Sequence, residues 1–297
     1  MTPQVLPQTE TLRDEAVGLD LRPDTEILER LLAGQQAALA ALDACLPQIS
    51  VAANLLAETI RAGGRIHYAA AGSSGLMGLA DGAELPGTYG LSPDCIAICM
   101  AGGVPTSAEM PGHTEDDTEE AQQAVSQAKS GDAVIAISAS GSTPYPLKFA
   151  QMARAAGAHT ICIANNADAA LFDHATCAIH LDTPPEIIAG STRMGAATAQ
   201  KAALNMMSTL MGIRLGHVHD GLMVNVIADN RKLRGRAEGI VRKITGVSDT
   251  VARDVLEQAA GDVKQAILLA SGARNHAQAR HLLEQSGGHL RPALKQL

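Results

Sequence analysis

The chain has no tryptophan, and only three tyrosines and two phenylalanines among its 297 residues. With 46% of residues hydrophobic, its core must be built from Ala, Leu, Ile, Val and Met, packed closely through small side chains. Basic residues are also scarce, 23 against 31 acidic, giving a net charge of -8. That balance excludes general binding to nucleic acid or to an anionic membrane surface. It does not exclude a small anion, which local donors would hold. The five cysteines (Cys45, Cys95, Cys99, Cys162, Cys177) are odd in number, scattered and mostly set in apolar runs. They read as free buried thiols in a reducing compartment. No His/Cys cluster follows Cys95 and Cys99, so no metal site is expected. The first residues, MTPQVLPQTETLRDEA, are polar and acidic and lack the apolar segment of a secretory signal. The only apolar stretch near membrane length, after Thr192, is interrupted by Arg193, Gln200, Lys201 and Asn205. A cytoplasmic protein without a membrane partner is expected. Neither a G-x-x-x-x-G-K-[ST] loop nor a GxGxxG helix start is present, which excludes a nucleotide P-loop and a Rossmann cofactor.

The length suits one large domain with appendages, or two domains. Residues 1 to about 22 read as an irregular leader able to wrap onto a neighbour. Helical spacing over about 24–44 and 46–62 predicts an antiparallel helical pair. The pattern then changes to short continuous apolar runs: RIHYAAA (65–71), CIAICMA (95–101), DAVIAISA (132–139), HTICIAN (159–165) and TCAIHL (176–181). Helical stretches such as 118–129 and 144–156 lie between them. This alternation predicts an α/β fold, a parallel sheet with helices on both faces. Its domains are expected at 1–62, 63–245 and 246–297. Another helix is expected over 222–244, with a solvated or acid-contacting basic face from Arg231 to Lys243. The tail repeats itself at an offset of 27 residues (ARDVLEQAAG from Ala252, ARHLLEQSGG from Ala279). Each copy reads as a helix ended by glycine and then a short second helix, together a small helical domain of the ubiquitin-associated type.

In such sheets ligands sit outside the carboxyl ends of the strands. Three loops there carry glycine with hydroxyls: AGSSG (71–75), SASGSTP (138–144) and GSTR (190–193). One such loop is ordinary turn chemistry. Three at equivalent positions suit a sugar phosphate held by hydroxyls and backbone N–H groups. The helix after Thr192 shows apolar residues nearly all round and is expected to be buried, its first turn offering donors to the anion. Glu84, between Ala83 and Leu85, is expected in apolar surroundings that raise its pKa and suit acid–base work. Glu115 is a second candidate, although Thr114 and Asp117 also fit a capping box there. Glu186 is a third.

These residues resemble a known family. GSTRMGAATAQKAALNMMSTLMGIRLG with LMVNV, AGSSGLMGLADGAELPGTYG, SASGSTPY, the leader TETLRDEAVGLD and the tail VLEQAAGDVKQAIL are together similar to the bacterial N-acetylmuramic acid 6-phosphate etherases and the related glucokinase regulatory protein. The resemblance is collinear over nearly the whole chain. It implies a three-layer sugar isomerase (SIS) domain with a five-stranded parallel sheet, N-terminal helices, a small C-terminal helical domain, and a homodimer. It implies a cofactor-free lyase of peptidoglycan recycling that removes D-lactate from the muramic sugar phosphate, with catalytic Glu84 and Glu115. Ser73, Ser74, Ser138, Ser140, Ser142, Thr143, Glu186, Ser191, Thr192 and Arg193 would line the substrate site. At three positions where the family carries a cation this chain has Leu76, Ser142 and Gly195. Two other functions remain open on the same scaffold: a sugar-phosphate isomerase with Glu84 or Glu186 as base, and a non-catalytic phosphosugar sensor.

Overall fold

The computed structural model describes residues 6–110 and 112–297. In chain order the first elements are α1 (Asp24–Ala40), α2 (Leu46–Arg61), β1 (Ile66–Ala70), α3 (Gly72–Gly82), α4 (Leu85–Tyr89), β2 (Ile96–Met100) and α5 (Thr118–Val125). Then come β3 (Ala133–Ile137), α6 (Pro144–Ala155), β4 (His159–Ala164), β5 (Cys177–His180) and α7 (Gly195–Arg214). The remainder is a hairpin, β6 (Val218–His219) and β7 (Leu222–Met223), followed by α8 (Arg231–Thr245), α9 (Asp249–Gln258), α10 (Val263–Ala270), α11 (His276–Gln285) and α12 (Leu290–Leu294). The chain divides into two compact units. One comprises the residues up to Ala83 together with Asp94–Ser208; the other comprises Glu84–Pro93 with Thr209–Leu297.

In the first unit all five apolar runs are strands of one parallel sheet, ordered β2-β1-β3-β4-β5. Every residue of β1 and β3 is buried, because helices cover both faces. One face carries α5 and α6, whose Tyr145 and Phe149 pack over Ala69, Val134 and Ala136. α2 and α3 contact strands of the same sheet. Alanines in the strands leave room for the few aromatics: Tyr68, Tyr145 and Phe149 are among the largest fully buried side chains. Asp81 of α3 is buried too, and accepts from Tyr68 Oη (2.8 Å), Asn205 Nδ2 (2.6 Å) and Ser208 Oγ (3.0 Å), so both carboxylate oxygens are hydrogen-bonded.

The strand order reverses at β1, which has β2 on one side and β3 on the other. The carboxyl ends of β1 and β3 therefore flank the crevice in which an open α/β sheet binds its ligand.

Two expectations are corrected here. No residue between Gly18 and Gly63 has positive φ, and the backbone stays right-handed through the 3-10 segment Ala41–Cys45. α1 and α2 thus continue one another instead of folding back as a pair. The combined stretch Asp24–Arg61 is long and apolar enough to cross a membrane by composition. In the fold α2 buries Ile49, Ala52, Ala53, Leu56 and Ala57 and contacts β1, β3 and β5. α7 is not buried all round either: Ala199, Ala203, Leu204 and Met207 face inward while Asn205 and Met206 are exposed. Of the cysteines, Cys45, Cys162 and Cys177 are buried and Cys95 and Cys99 half-buried, all as free thiols. Burial pushes Cys162 up to about 12 and Cys99 up to about 11, far from the reactive thiolate.

In the second unit, the helix expected from 222 begins only at Arg231, capped by Asn230 on the Leu233 N–H. A hairpin precedes it, turning at Asp220-Gly221 with positive φ at both residues, the chemistry such a turn requires. The basic residues of α8 are exposed while Ala237, Ile240 and Val241 face inward. The tail repeat forms the helix pairs α9–α10 and α11–α12, with Ser248, Asp262 and Asn275 as caps. Lys264 is buried and donates to the Gly288 carbonyl (3.0 Å), which pins α10 to the turn after α11.

Candidate active site

The chain leaves β1 at Ala70 and enters α3 through Ala71 and Gly72. Gly72 has φ +52, where a side chain is strained, and a Cβ there would lie 2.5 Å from Glu115 Oε1. Only glycine lets the Glu115 carboxylate rest against this turn. The first bond within α3 runs from Gly75 N to Ala71 O (2.9 Å). By helix geometry the N–H groups of Gly72, Ser73 and Ser74 have no acceptor inside the helix, a helix end of the kind that suits an anion. No side chain caps them among the described residues.

The loop after β3 brings its hydroxyls together. Ser138 Oγ lies 2.8 Å from Thr143 Oγ1 and 3.2 Å from Ser140 Oγ, and it accepts from Gly141 N (3.0 Å). Thr143 precedes Pro144, which takes the first position of α6 and needs no acceptor there. Ser142 is exposed and supports Ser140 from outside (3.2 Å).

Ser73, Ser74, Ser138, Ser140, Thr143, Gly190 and Thr192 line one cavity of about 210 Å³, together with Gly72, Glu115, Thr9 and Glu10. No lysine or arginine lines it among the described residues. Gly72 and Glu115 also border a larger recess of about 530 Å³, walled by Met100–Ser107, Glu109, Met110, Gly112 and Thr114. Glu115 therefore stands between a hydroxyl-lined cleft and a roomier one. Burial, and then repulsion from Asp116, raise its carboxyl above the ordinary range. The capping-box reading is corrected: Asp117 caps α5, accepting from Glu119 N (3.0 Å) and Glu120 N (2.8 Å), and Glu115 sits one turn earlier, free of that duty.

The stretch before α7 departs from expectation in its chemistry. Glu186 is buried and accepts from Gly195 N (2.9 Å) and Ala196 N (2.8 Å). The donors of α7's first turn are thus taken by a side chain of the same chain. Glu186 caps α7 and does not line the cavity, whereas Gly190 and Thr192 just upstream do. Arg193 is exposed and, like Ser191, does not line the cavity. At Gly195, a Cβ would meet Ala38 Cβ at 3.0 Å and Glu186 Oε2 at 3.1 Å, so this backbone packs tightly where the resemblance expects a cation. Glu186→Ala is expected to lower stability by about 1–3 kcal/mol in denaturant unfolding, and Glu186→Gln by less, since its amide oxygen still accepts.

The leader was not among the candidate site residues, and it packs onto its own unit. Thr9 N donates to Asn166 Oδ1 (3.4 Å), and Asn166 Nδ2 donates to Thr9 Oγ1 (3.2 Å) and to the Ser140 carbonyl (3.1 Å). Gln8 Nε2 donates to Thr183 O (2.7 Å) and Arg13 Nη1 to Pro185 O (3.4 Å). The signal in the sequence was the polar TET of an otherwise irregular segment; no local spacing says where it docks.

Glu84 belongs to the second unit. It is exposed at the N-terminus of α4, so the expected apolar surroundings are absent: Leu85 turns inward while Glu84 and Ala83 face out.

The SIS domain family matches residues 106–210. Over 289 residues the chain is 41% identical to the N-acetylmuramic acid 6-phosphate etherase of Streptomyces avermitilis, covering 96% of this chain and 93% of that protein. It is 37% identical to the enzyme of the same name from Bacillus subtilis, covering 97% and 95%. In fold it is similar to a putative phosphosugar isomerase involved in capsule formation from Bacteroides fragilis, with 19% identity and a TM-score of 0.51 over 66% of this chain and 92% of that one.

Proposed function

The chain belongs to the N-acetylmuramic acid 6-phosphate etherase family, and from that premise we propose that it cleaves the lactyl ether of N-acetylmuramic acid 6-phosphate, giving N-acetylglucosamine 6-phosphate and D-lactate. The observation that carries the reading is one cleft in which the donor end of α3 and a cluster of hydroxyls meet a carboxylate of raised proton affinity. In this reading Ser73, Ser74, Ser138, Ser140, Thr143 and Thr192 hold the phosphate, and Glu115 faces the sugar.

Opening the sugar ring exposes an aldehyde at C1, which acidifies the hydrogen on C2. A base removes that proton, and the C3–O bond breaks with its electron pair going to the lactyl oxygen, which an acid protonates. Water then adds across C2 and C3, its oxygen to C3 and a proton to C2. Abstraction from carbon calls for a base stronger than an ordinary carboxylate, and burial gives Glu115 that property. We assign the C2 proton to Glu115 and, on the family resemblance alone, the leaving oxygen to Glu84. The steps need no cofactor.

A homodimer fits the same reading. α1 leaves Leu28, Leu32 and Leu39 exposed, a stripe that a second copy would cover. The five free cysteines suit the cytoplasm.

Purified protein mixed with N-acetylmuramic acid 6-phosphate is expected to release D-lactate. Binding without release at high protein concentration would instead mark a sensor. The acid limb of the pH profile of kcat/KM should lie above the ordinary carboxylate range, since Glu115 acts ionised and its pKa is raised. Asp116→Asn removes the like charge beside it and is expected to move that limb to lower pH, measured on the same assay.

A further inference from the structure

Among the described residues, the only charged side chains lining the hydroxyl cavity are Glu10 and Glu115. A phosphate there is drawn by hydroxyls and N–H groups and repelled by both carboxylates. The mechanism uses Glu115; nothing in it uses Glu10. Glu10 makes no hydrogen bond or ion pair through its carboxylate among the described residues. Its Oε2 lies 3.2 Å from where a Cβ on Gly190 would stand, so it leans against the turn that also supplies Thr192. It is not placed there by a loose leader. Thr9, its neighbour, is buried and bonded to Asn166, and Asn166 is bonded in turn to the Ser140 carbonyl of the hydroxyl loop. The position of Glu10 is thus tied to the loop that holds the anion.

A carboxylate is acceptor-only when ionised. In a cavity with no cation it is compatible with a bound phosphate only if the rest of the ligand presents a donor to it. Sugar hydroxyls and an acetamido N–H are such donors, carried on the part of the ligand beyond the phosphate; inorganic phosphate offers only its own P–OH, on the group that the hydroxyls and N–H groups already hold. We propose that Glu10 is a specificity-determining residue of this site, accepting a hydrogen bond from a hydroxyl or amide N–H of the bound sugar. The leader thereby completes the pocket and favours a sugar monophosphate over inorganic phosphate. This rests on the phosphosugar reading of the same cavity.

The test is calorimetric titration of wild type, Glu10→Ala and Glu10→Gln with N-acetylglucosamine 6-phosphate and, separately, with inorganic phosphate. Glu10→Ala is expected to weaken the sugar phosphate by about 10-fold or more, as loss of one charge-assisted bond does. Inorganic phosphate should bind it equally well or more tightly, because a repelling charge is gone. Glu10→Gln, still an acceptor, should recover part of the sugar phosphate affinity. A parallel loss of both ligands, with a lower melting temperature, would make Glu10 part of a structural strap and overturn the proposal. Unchanged affinity for both ligands in Glu10→Ala would overturn it as well. Wild type binding neither ligand would overturn the phosphosugar reading itself and this inference with it.

Discussion

Glu115→Gln is expected to cut D-lactate release by about 10²–10⁴-fold, the range that a positioned acid–base group contributes. Binding of N-acetylglucosamine 6-phosphate should change little, because the proposed anion donors are the hydroxyls and the α3 N-terminus. Stability should not fall. A carboxyl whose folded pKa is raised favours the fold in its protonated form, below its unfolded pKa, and loses that contribution as pH rises through the folded value. The neutral Gln resembles that protonated form. A melting temperature equal to wild type or higher, with turnover lost, is the expected pair of results. Loss of sugar-phosphate binding along with turnover would make Glu115 a ligand contact instead of a proton carrier.

Gly72→Ala should be comparably damaging although it adds one methyl. The added Cβ would lie 2.5 Å from Glu115 Oε1, well inside contact distance, so the carboxylate must move. A displacement of about 1 Å in a reacting group can cost about 100-fold in rate. The left-handed backbone at φ +52 adds about 1–2 kcal/mol of strain. Gly63→Ala separates the two effects: Gly63 has φ +77 and nothing within 4 Å of its added Cβ. That control is expected to lose similar stability in denaturant unfolding and to keep its kcat/KM. Equal activity in the two variants would show that Gly72 matters only for backbone conformation.

The sheet was legible because its strands are buried on both faces. RIHYAAA and DAVIAISA read as continuous apolar runs, and they end within two residues of where β1 and β3 do. The hydroxyl loops were legible because a parallel sheet puts every strand's carboxyl end on one edge, so Ser73, Ser138 and Thr192 had to come near one another. Contacts made over long sequence separations left no periodic trace. Glu186 reaches Gly195 and Ala196 across a loop with no fixed spacing, and Thr9 meets Asn166 from the far end of the chain. The continuity of α1 and α2 escaped because the helical spacing restarts near Leu46, and the proline there sits in the first turn of α2, where it costs a helix nothing. The hairpin before α8 did have a local signal, Asp220-Gly221, which the apolar spacing of the following helix masked. Exposure of Glu84 could not be read from its neighbours, since Leu85 and Ala83 take opposite sides of a short helix start.

The most direct test is the reaction run in D₂O enriched in H₂¹⁸O, with both products examined by mass spectrometry and NMR. Elimination followed by hydration predicts N-acetylglucosamine 6-phosphate carrying one deuterium at C2 and, beyond any exchange of the open-chain aldehyde at C1, one ¹⁸O at C3. The D-lactate should retain its original ether oxygen, because the bond broken is between C3 and that oxygen. Lactate bearing ¹⁸O at its hydroxyl, or a product with unlabelled C2 and C3, would contradict the account.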